Sequence, residues 1–323
     1  MSKPKILVTR RWPEEVEAEL AQRYDATFNE SDIPLSVAQL KEALTHYDAV
    51  LPTVTDSINA EVLSAAPLRC RILGNFGVGY NHIDIPAAKA RGLTVTNTPD
   101  VLTDCTADIA MLLLLSVARR GGEGERQLRA GAWSGWRPTH LLGTKVTGKT
   151  LGLIGFGRIA QAMAHKARHG FDMDIIFYNR SQPPRDKIDA VQARQCASLE
   201  EVLQQADFVA LHCPGSPENH HLINAERLAL MKPGAYLINT ARGNVVDSAA
   251  LIAALQQGAI KGAGLDVYEG EPDLHPGFLE LENAVLLPHL GSASRETRIA
   301  MGRRVLTNID AFFAGQTPGD KVC

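Results

Sequence analysis

Cysteine is scarce and scattered. Cys70, Cys105, Cys196, Cys213 and Cys323 are odd in number and lack paired spacing. Neither a disulfide framework nor a zinc site is expected, no metal enters the expected site, and a reducing cytoplasm is the default compartment. Excess charge is missing too: the net formal charge is −3, with no lysine-arginine stripe. Nucleic acid and anionic membrane surfaces are therefore not expected partners. Long apolar runs are absent: the longest, Ile109 to Val117, is broken by Ser116 and too short to span a bilayer. The start, Met1-Ser-Lys-Pro-Lys, runs directly into a strand-like Ile6-Leu-Val8 without a signal-peptide layout. No internal repeat or low-complexity tract interrupts the 323 residues.

What is present is an alternation of short apolar runs and amphipathic stretches. Strand candidates are Ile6–Val8, Ala49–Leu51, Arg71–Leu73 and Leu93–Thr96, with helical patterns at Pro13–Arg23 and Val37–Tyr47. Such alternation predicts a parallel sheet covered on both faces. After Pro99 a long helix is expected over Asp100–Arg120, apolar on most sides and so deeply buried or at a subunit interface. Gly121-Gly122 should end it. The segment Trp133-Ser-Gly-Trp136-Arg-Pro138 follows, and paired exposed tryptophans point to an arm laid on another subunit.

A second alternating series begins at Leu151. Six strands are predicted, Leu151–Ile154, Asp174–Tyr178, Phe208–Leu211, Ala235–Asn239, Gly262–Val267 and Ala284–Leu287. Helices are expected over Arg158–Arg168, Ser198–Gln205, Ala225–Met231 and Ser248–Gln257. Gly155-Phe-Gly157-Arg-Ile-Ala160 closes the first of these strands. Gly155 permits the turn, Gly157 lets a diphosphate approach, and Ala160 lets helix and strand pack closely. The helix start, with Arg158 and Ile159, offers amide donors and a positive dipole end. The fold class expected is α/β, a doubly wound dinucleotide-binding sheet beside a smaller α/β unit. A last helix, Arg295–Ala314, should return to pack on that first unit.

Ligands of open parallel sheets bind beyond the carboxyl ends of the strands. Gly155 and Gly157, Asn179-Arg-Ser181, His212-Cys213-Pro214, Thr240-Ala241-Arg242, Asp266 and His289 all follow strands. After the second strand of the series an NAD site would place a carboxylate. Here Arg180 and Ser181 stand instead, which favours a 2′-phosphate and hence NADP(H), with NAD(H) still possible. Reduction of a carbonyl needs a proton donor, for which His289 and His212 are equal candidates. Arg242 can grip a carboxylate with its two-pronged guanidinium. Glu269 and Glu271 are equal candidates to stabilise an imidazolium.

The motifs Gly77-Val-Gly-Tyr-Asn-His-Ile-Asp84, Gly155-Phe-Gly-Arg-Ile-Ala160, Leu211-His-Cys-Pro214, Asn239-Thr-Ala-Arg-Gly243, Gly264-Leu-Asp-Val267, Glu271-Pro272 and Pro288-His-Leu-Gly-Ser292 occur in this order, with Met231-Lys-Pro-Gly-Ala235 among them. In them the chain resembles the D-isomer-specific 2-hydroxyacid dehydrogenases over nearly its whole length. The Trp133/Trp136 arm and Asn179-Arg-Ser181 are most similar to the glyoxylate/hydroxypyruvate reductases of that family. The resemblance implies reduction of small 2-oxo acids, glyoxylate to glycolate or hydroxypyruvate to D-glycerate. His289 would be the acid/base, Glu271 its partner and Arg242 the carboxylate clamp.

Further roles come from the same resemblance. The Val78 and Gly79 amides would receive the substrate carboxylate. Asp266 would meet the nicotinamide carboxamide, and Thr106, Arg158 and Ile159 the phosphates. His212 would join Cys213 and Pro214 in the cofactor loop, and Ser292 would complete the set after His289. Trp136 would reach a neighbouring subunit's site in a homodimer built on the cofactor domains. Residues 1–98 with 292–323 would form the substrate domain and 99–291 the cofactor domain, with the active site in the cleft between them. Ala160 in the third glycine place and Asn81 in the first glycine loop depart from the common pattern. Other readings are an NAD-dependent enzyme for another D-2-hydroxyacid, or a nucleotide-sensing module like the corepressors of this fold. The lack of long tails counts against the last.

Overall fold

The computed structural model describes residues 3–323. The chain divides into two compact units, Met1–Leu102 with Ser292–Cys323, and Thr103–Gly291. In the first, five strands, β1 (Lys5–Val8), β2 (Asp25–Phe28), β3 (Ala49–Leu51), β4 (Ile72–Gly74) and β5 (Thr94–Thr96), form a wholly parallel sheet ordered β2-β1-β3-β4-β5. This is the flavodoxin-like doubly wound order. Strands β3 and β4 are buried at every position, as unbroken apolar runs require when helices cover both faces. The edge strand β2 (Asp-Ala-Thr-Phe) alternates exposed and half-buried positions and has no apolar run, so it carries no signal of the kind that marks the other four.

The helix Arg295–Phe313 belongs to this unit. Ser294 caps it by accepting the Thr297 N–H, and Met301, Val305, Leu306 and Ile309 enter the core beside Ile6, Val8, Val16 and Leu51.

The second unit holds β6 (Thr150–Ile154), β7 (Asp174–Tyr178), β8 (Arg194–Gln195), β9 (Phe208–Leu211), β10 (Tyr236–Asn239), β11 (Gly262–Leu265) and β12 (Ala284–Leu286). All are parallel, in the order β12-β11-β10-β9-β6-β7-β8. The series thus has seven strands where six are predicted, because the two-residue edge strand β8 is too short to leave a pattern. The order reverses between β6 and β9, the switch point at which nucleotide sites form in such sheets.

The long helix spans Thr103–Ala118, shorter at both ends than Asp100–Arg120. Asp100 (φ 71°) and Arg120 (φ 54°) are left-handed and cannot continue a right-handed helix. Gly121-Gly122 does not end helical structure, for a second helix, Gly121–Arg129, starts there. The apolar character of the long helix comes from burial within its own unit: Leu113 and Val117 lie directly on Gly264 and Gly262 of β11, while Leu112 faces solvent. No helix among the described residues is long and apolar enough to cross a membrane.

Candidate active site

At the carboxyl end of β6 the chain turns at Gly155, whose φ of +89° is costly for any residue with a Cβ. A Cβ there would also stand 2.9 Å from the His212 carbonyl oxygen. The turn is held by two bonds, Gly155 N–H to the Tyr178 carbonyl (2.9 Å) and Phe156 N–H to Asn179 Oδ1 (3.1 Å). Gly157 then opens the helix Arg158–Phe171, with no heavy atom within 4 Å of where its Cβ would lie. The first helical amides and that open space match what a diphosphate needs, so the residues fit a dinucleotide.

Asn179, read from sequence as a cofactor contact, spends its side chain inside the protein. Its amide nitrogen donates to the Ser181 carbonyl (2.8 Å) and Oγ (3.1 Å). Arg180 is exposed, and its positive charge reaches Cys213 and Glu218. Burial pushes the Cys213 thiol up to about 11, so it stays protonated and is no nucleophile at neutral pH.

The two candidate histidines differ. The His212 ring lies against Met163, with Nε2 3.3 Å from Sδ, and burial lowers its pKa to about 4. It is neutral at pH 7 and has no carboxylate partner among the described residues. Between pH 6.5 and pH 4 the unfolded chain takes up a proton here that the folded chain refuses, so folding stability falls as pH falls through that window. The ring keeps some solvent contact, so a loss of about 2 kcal/mol is expected. Urea unfolding of the native chain and His212→Gln at pH 4.5 and pH 7 checks this. The native chain should lose more stability on acidification, and an equal loss in both would refute it.

His289 is held quite differently. It follows β12 with φ 56°, and its N–H bonds to the Asp266 carbonyl (3.0 Å). Nδ1 lies 2.8 Å from Glu271 Oε2, and against an ionised carboxylate it must be the donor, which leaves Nε2 directed elsewhere. Glu271 Oε1 accepts the Tyr268 N–H (2.8 Å). Burial alone would raise the Glu271 carboxyl, but the His289 bond and charge, the Tyr268 amide and Arg242 outweigh it and hold it low. Arg242 is half-buried, and its desolvation lowers its pKa against the opposing charge of Glu271. Its Nη1 donates to the Ala241 carbonyl (2.7 Å).

Asp266 supports the histidine segment from below. It is 1% exposed, and its two oxygens accept the N–H groups of Leu290 (2.6 Å) and Gly291 (2.8 Å). Burial raises its carboxyl despite these bonds. Thr106, on the long helix, donates to the Gly291 carbonyl (3.0 Å), so both residues read as cofactor contacts also anchor the turn that carries His289. The Thr240 hydroxyl, beside Arg242, is buried with no hydrogen-bond partner among the described residues. An unmet polar group at a strand's carboxyl end invites a ligand.

The two glutamates left equal by sequence also separate: Glu271 pairs with His289, while Glu269 pairs with His221. Pattern gave no hint of Tyr268, whose hydroxyl ties Leu265 (3.2 Å) to Leu287 (2.9 Å), or of what Asn239 does within its motif, where it braces the Arg242 turn through the Arg242 carbonyl (2.9 Å) and Ala241 N–H (2.9 Å). Their side chains act within the protein, where sequence spacing has no diagnostic value.

In the first unit, Val78 and Gly79 sit in the loop after β4. Buried Asn75 donates to the Gly77 (2.9 Å) and Gly79 (3.0 Å) carbonyls, and Asn97 to that of Val78 (2.9 Å). With these carbonyls turned inward, the Val78 and Gly79 amides make no hydrogen bond among the described residues. Such loops make anion nests. Ser292 lies in this unit too, its carbonyl taken by Arg298 (3.1 Å). Trp133 and Trp136 are 52% and 82% exposed.

A sequence profile described as "D-isomer specific 2-hydroxyacid dehydrogenase, NAD binding domain" matches residues 111–291. The chain belongs to the D-isomer specific 2-hydroxyacid dehydrogenase family. It is therefore an oxidoreductase with a Rossmann-type NAD-binding domain. Among family relatives, a glyoxylate reductase of Thermococcus onnurineus is 43% identical over 320 residues, 98% of this chain and 95% of that protein. A glycerate dehydrogenase of Hyphomicrobium methylovorum is 39% identical, covering 98% of each. The crystal structure of an NADPH-dependent glyoxylate/hydroxypyruvate reductase from Sinorhizobium meliloti, in complex with NADP and malonate, matches with a TM-score of 0.88. It is 34% identical and covers 100% of this chain and 97% of that one.

Proposed function

We propose that this dehydrogenase reduces small 2-oxo acids, glyoxylate and hydroxypyruvate, to glycolate and D-glycerate, with NADPH preferred over NADH. The observation that carries the reading is the His289–Glu271 dyad, 2.8 Å apart, in electrostatic reach of a half-buried Arg242 at the strand ends of a dinucleotide-binding sheet. The relatives that act on glyoxylate and glycerate support the substrate class. A nicotinamide cofactor, when bound, would supply the hydride that the carbonyl carbon receives.

The protein's own groups do the rest. Arg242 holds the substrate carboxylate by two parallel bonds. As negative charge gathers on the carbonyl oxygen, His289 gives it the Nε2 proton. Glu271 fixes the ring through Nδ1 and offsets the imidazolium charge before transfer. In the reverse direction the neutral Nε2 accepts the hydroxyl proton. Exposed Trp136 is left for a neighbouring subunit's site, as a homodimer of this kind requires.

Cofactor choice rests on Arg180 and Ser181, where no carboxylate stands to meet a ribose 2′-hydroxyl. The experiment is a steady-state panel of NADPH and NADH with glyoxylate, hydroxypyruvate and pyruvate. Loss of a charge-assisted contact is worth about 1.5–3 kcal/mol, so Arg180→Asp should cut kcat/KM for NADPH by about 10–100-fold and raise relative use of NADH. Unchanged preference would remove Arg180 from this role. No turnover of any 2-oxo acid would overturn the reading as a whole.

A further inference from the structure

His220 and His221 are consecutive, and on an extended strand neighbouring side chains point to opposite sides. Here they do not. His221 takes a left-handed φ of 48°, which costs about 1 kcal/mol for a residue with a Cβ, and the two rings stack with centroids 3.9 Å apart. The segment is well braced. Asn219 donates to the Pro214 carbonyl (2.8 Å), and the His221 N–H donates to the Asn244 carbonyl (2.8 Å). Glu269, from the loop after β11, brings Oε1 to 2.8 Å from His221 Nε2 and 3.7 Å from His220 Nε2. All three ligand atoms lie within 4.8 Å of one another.

We infer that His220, His221 and Glu269 form a binding site for a divalent transition-metal ion, separate from the His289–Glu271 dyad. Bonds of about 2.0–2.1 Å in a tetrahedral shell put neighbouring ligand atoms about 3.3–3.4 Å apart, and 2.8 and 3.7 Å bracket that spacing. Two imidazole nitrogens and one carboxylate select Zn²⁺, Co²⁺, Ni²⁺ or Cu²⁺ over Mg²⁺ and Ca²⁺, which require mostly oxygen ligands. Asp247 Oδ2 lies 3.9 Å from His221 Nδ1, on the side from which a carboxylate orients a metal-ligating ring. His220 is exposed, so water can complete the shell. The cysteine pattern excludes only thiolate sites, and does not bear on this one. The ion joins the 220–221 segment to the loop that carries Glu271, whose position is fixed through the Tyr268 N–H. Its effect is to stiffen that loop from outside the reacting centre.

The test is titration of the metal-stripped full-length chain with Co²⁺, read by visible absorption, and with Zn²⁺, read by calorimetry. One ion per chain is expected, with the intense bands of four- or five-coordinate Co²⁺ and a rise in Tm. His220→Asn and Glu269→Gln should each weaken binding by at least about tenfold. His221→Asn should do the same while tolerating the left-handed backbone. Unaltered urea midpoints without metal would show that these variants fold. The inference fails if no saturable binding occurs below millimolar Co²⁺ or Zn²⁺, or if the three variants bind like the native chain. It also fails if binding is lost instead in His165→Asn, which would place the ion on His165 and His169, whose rings are tilted to each other with centroids 4.5 Å apart, one helical turn from each other.

Discussion

His289→Gln is expected to lower kcat by about 10²–10⁴-fold, the usual contribution of a positioned acid/base, while the dissociation constant for NADPH stays within a few-fold. Glutamine can still donate a hydrogen bond but cannot release a proton near neutral pH. The fold should tolerate it, for the His289 side chain is 33% exposed and Glu271, which it hydrogen-bonds, is 34% exposed. Loss of that bond should cost about 1 kcal/mol of stability. Arg242→Ala gives the contrasting signature, since a carboxylate clamp binds ground state and transition state alike and its loss appears chiefly in KM. Steady-state kinetics with cofactor binding by fluorescence separates the two. Near-native kcat in the histidine variant would exclude His289 as the proton source. Loss of NADPH binding would show that the ring supports the cofactor rather than the chemistry.

The distinction between His289 and His212 marks where sequence reading stopped. Both follow apolar strands, so pattern alone treats them alike. What divides them is the neighbour each meets in three dimensions: a thioether 3.3 Å from one, a carboxylate 2.8 Å from the other. Glu271 and Glu269 are two positions apart, and only the course of the loop sends each to a different histidine. The central strands, by contrast, were legible because a strand buried on both faces must be apolar throughout, as in β3, β9 and β10. Edge strands escape that demand, and β2 and β8 were not read as strands for that reason. The glycine turn was legible because its chemistry is a backbone requirement. Asn179 was read from its place after β7, which pattern shows; that its side chain bonds to Phe156 and Ser181 is set by the course of the turn, which pattern does not show.

Gly243→Ala is expected to destabilise the chain by about 3 kcal/mol or more and to depress kcat/KM by about 10²-fold in whatever fraction still folds. The Cβ would stand 1.8 Å from the Tyr268 carbonyl carbon, 2.0 Å from its oxygen and 2.2 Å from the Glu269 nitrogen. These are main-chain atoms, so no rotamer change relieves the overlap, and one of the two segments must move by more than an ångström to reach ordinary van der Waals contact. One segment carries Arg242 and the other Glu271. The bond from the Tyr268 N–H to Glu271 means that displacement of Tyr268 is passed to the carboxylate and through it to the imidazole of His289. Stability and turnover are therefore coupled at this glycine, which has no side chain of its own to take part in the chemistry. Urea denaturation gives the first quantity. Kinetics at a temperature where near-ultraviolet circular dichroism remains native gives the second. A variant that is destabilised yet keeps native kcat/KM would show that the Arg242 turn and the Glu271 loop can part without disturbing the dyad, and that the close approach at Gly243 serves packing alone.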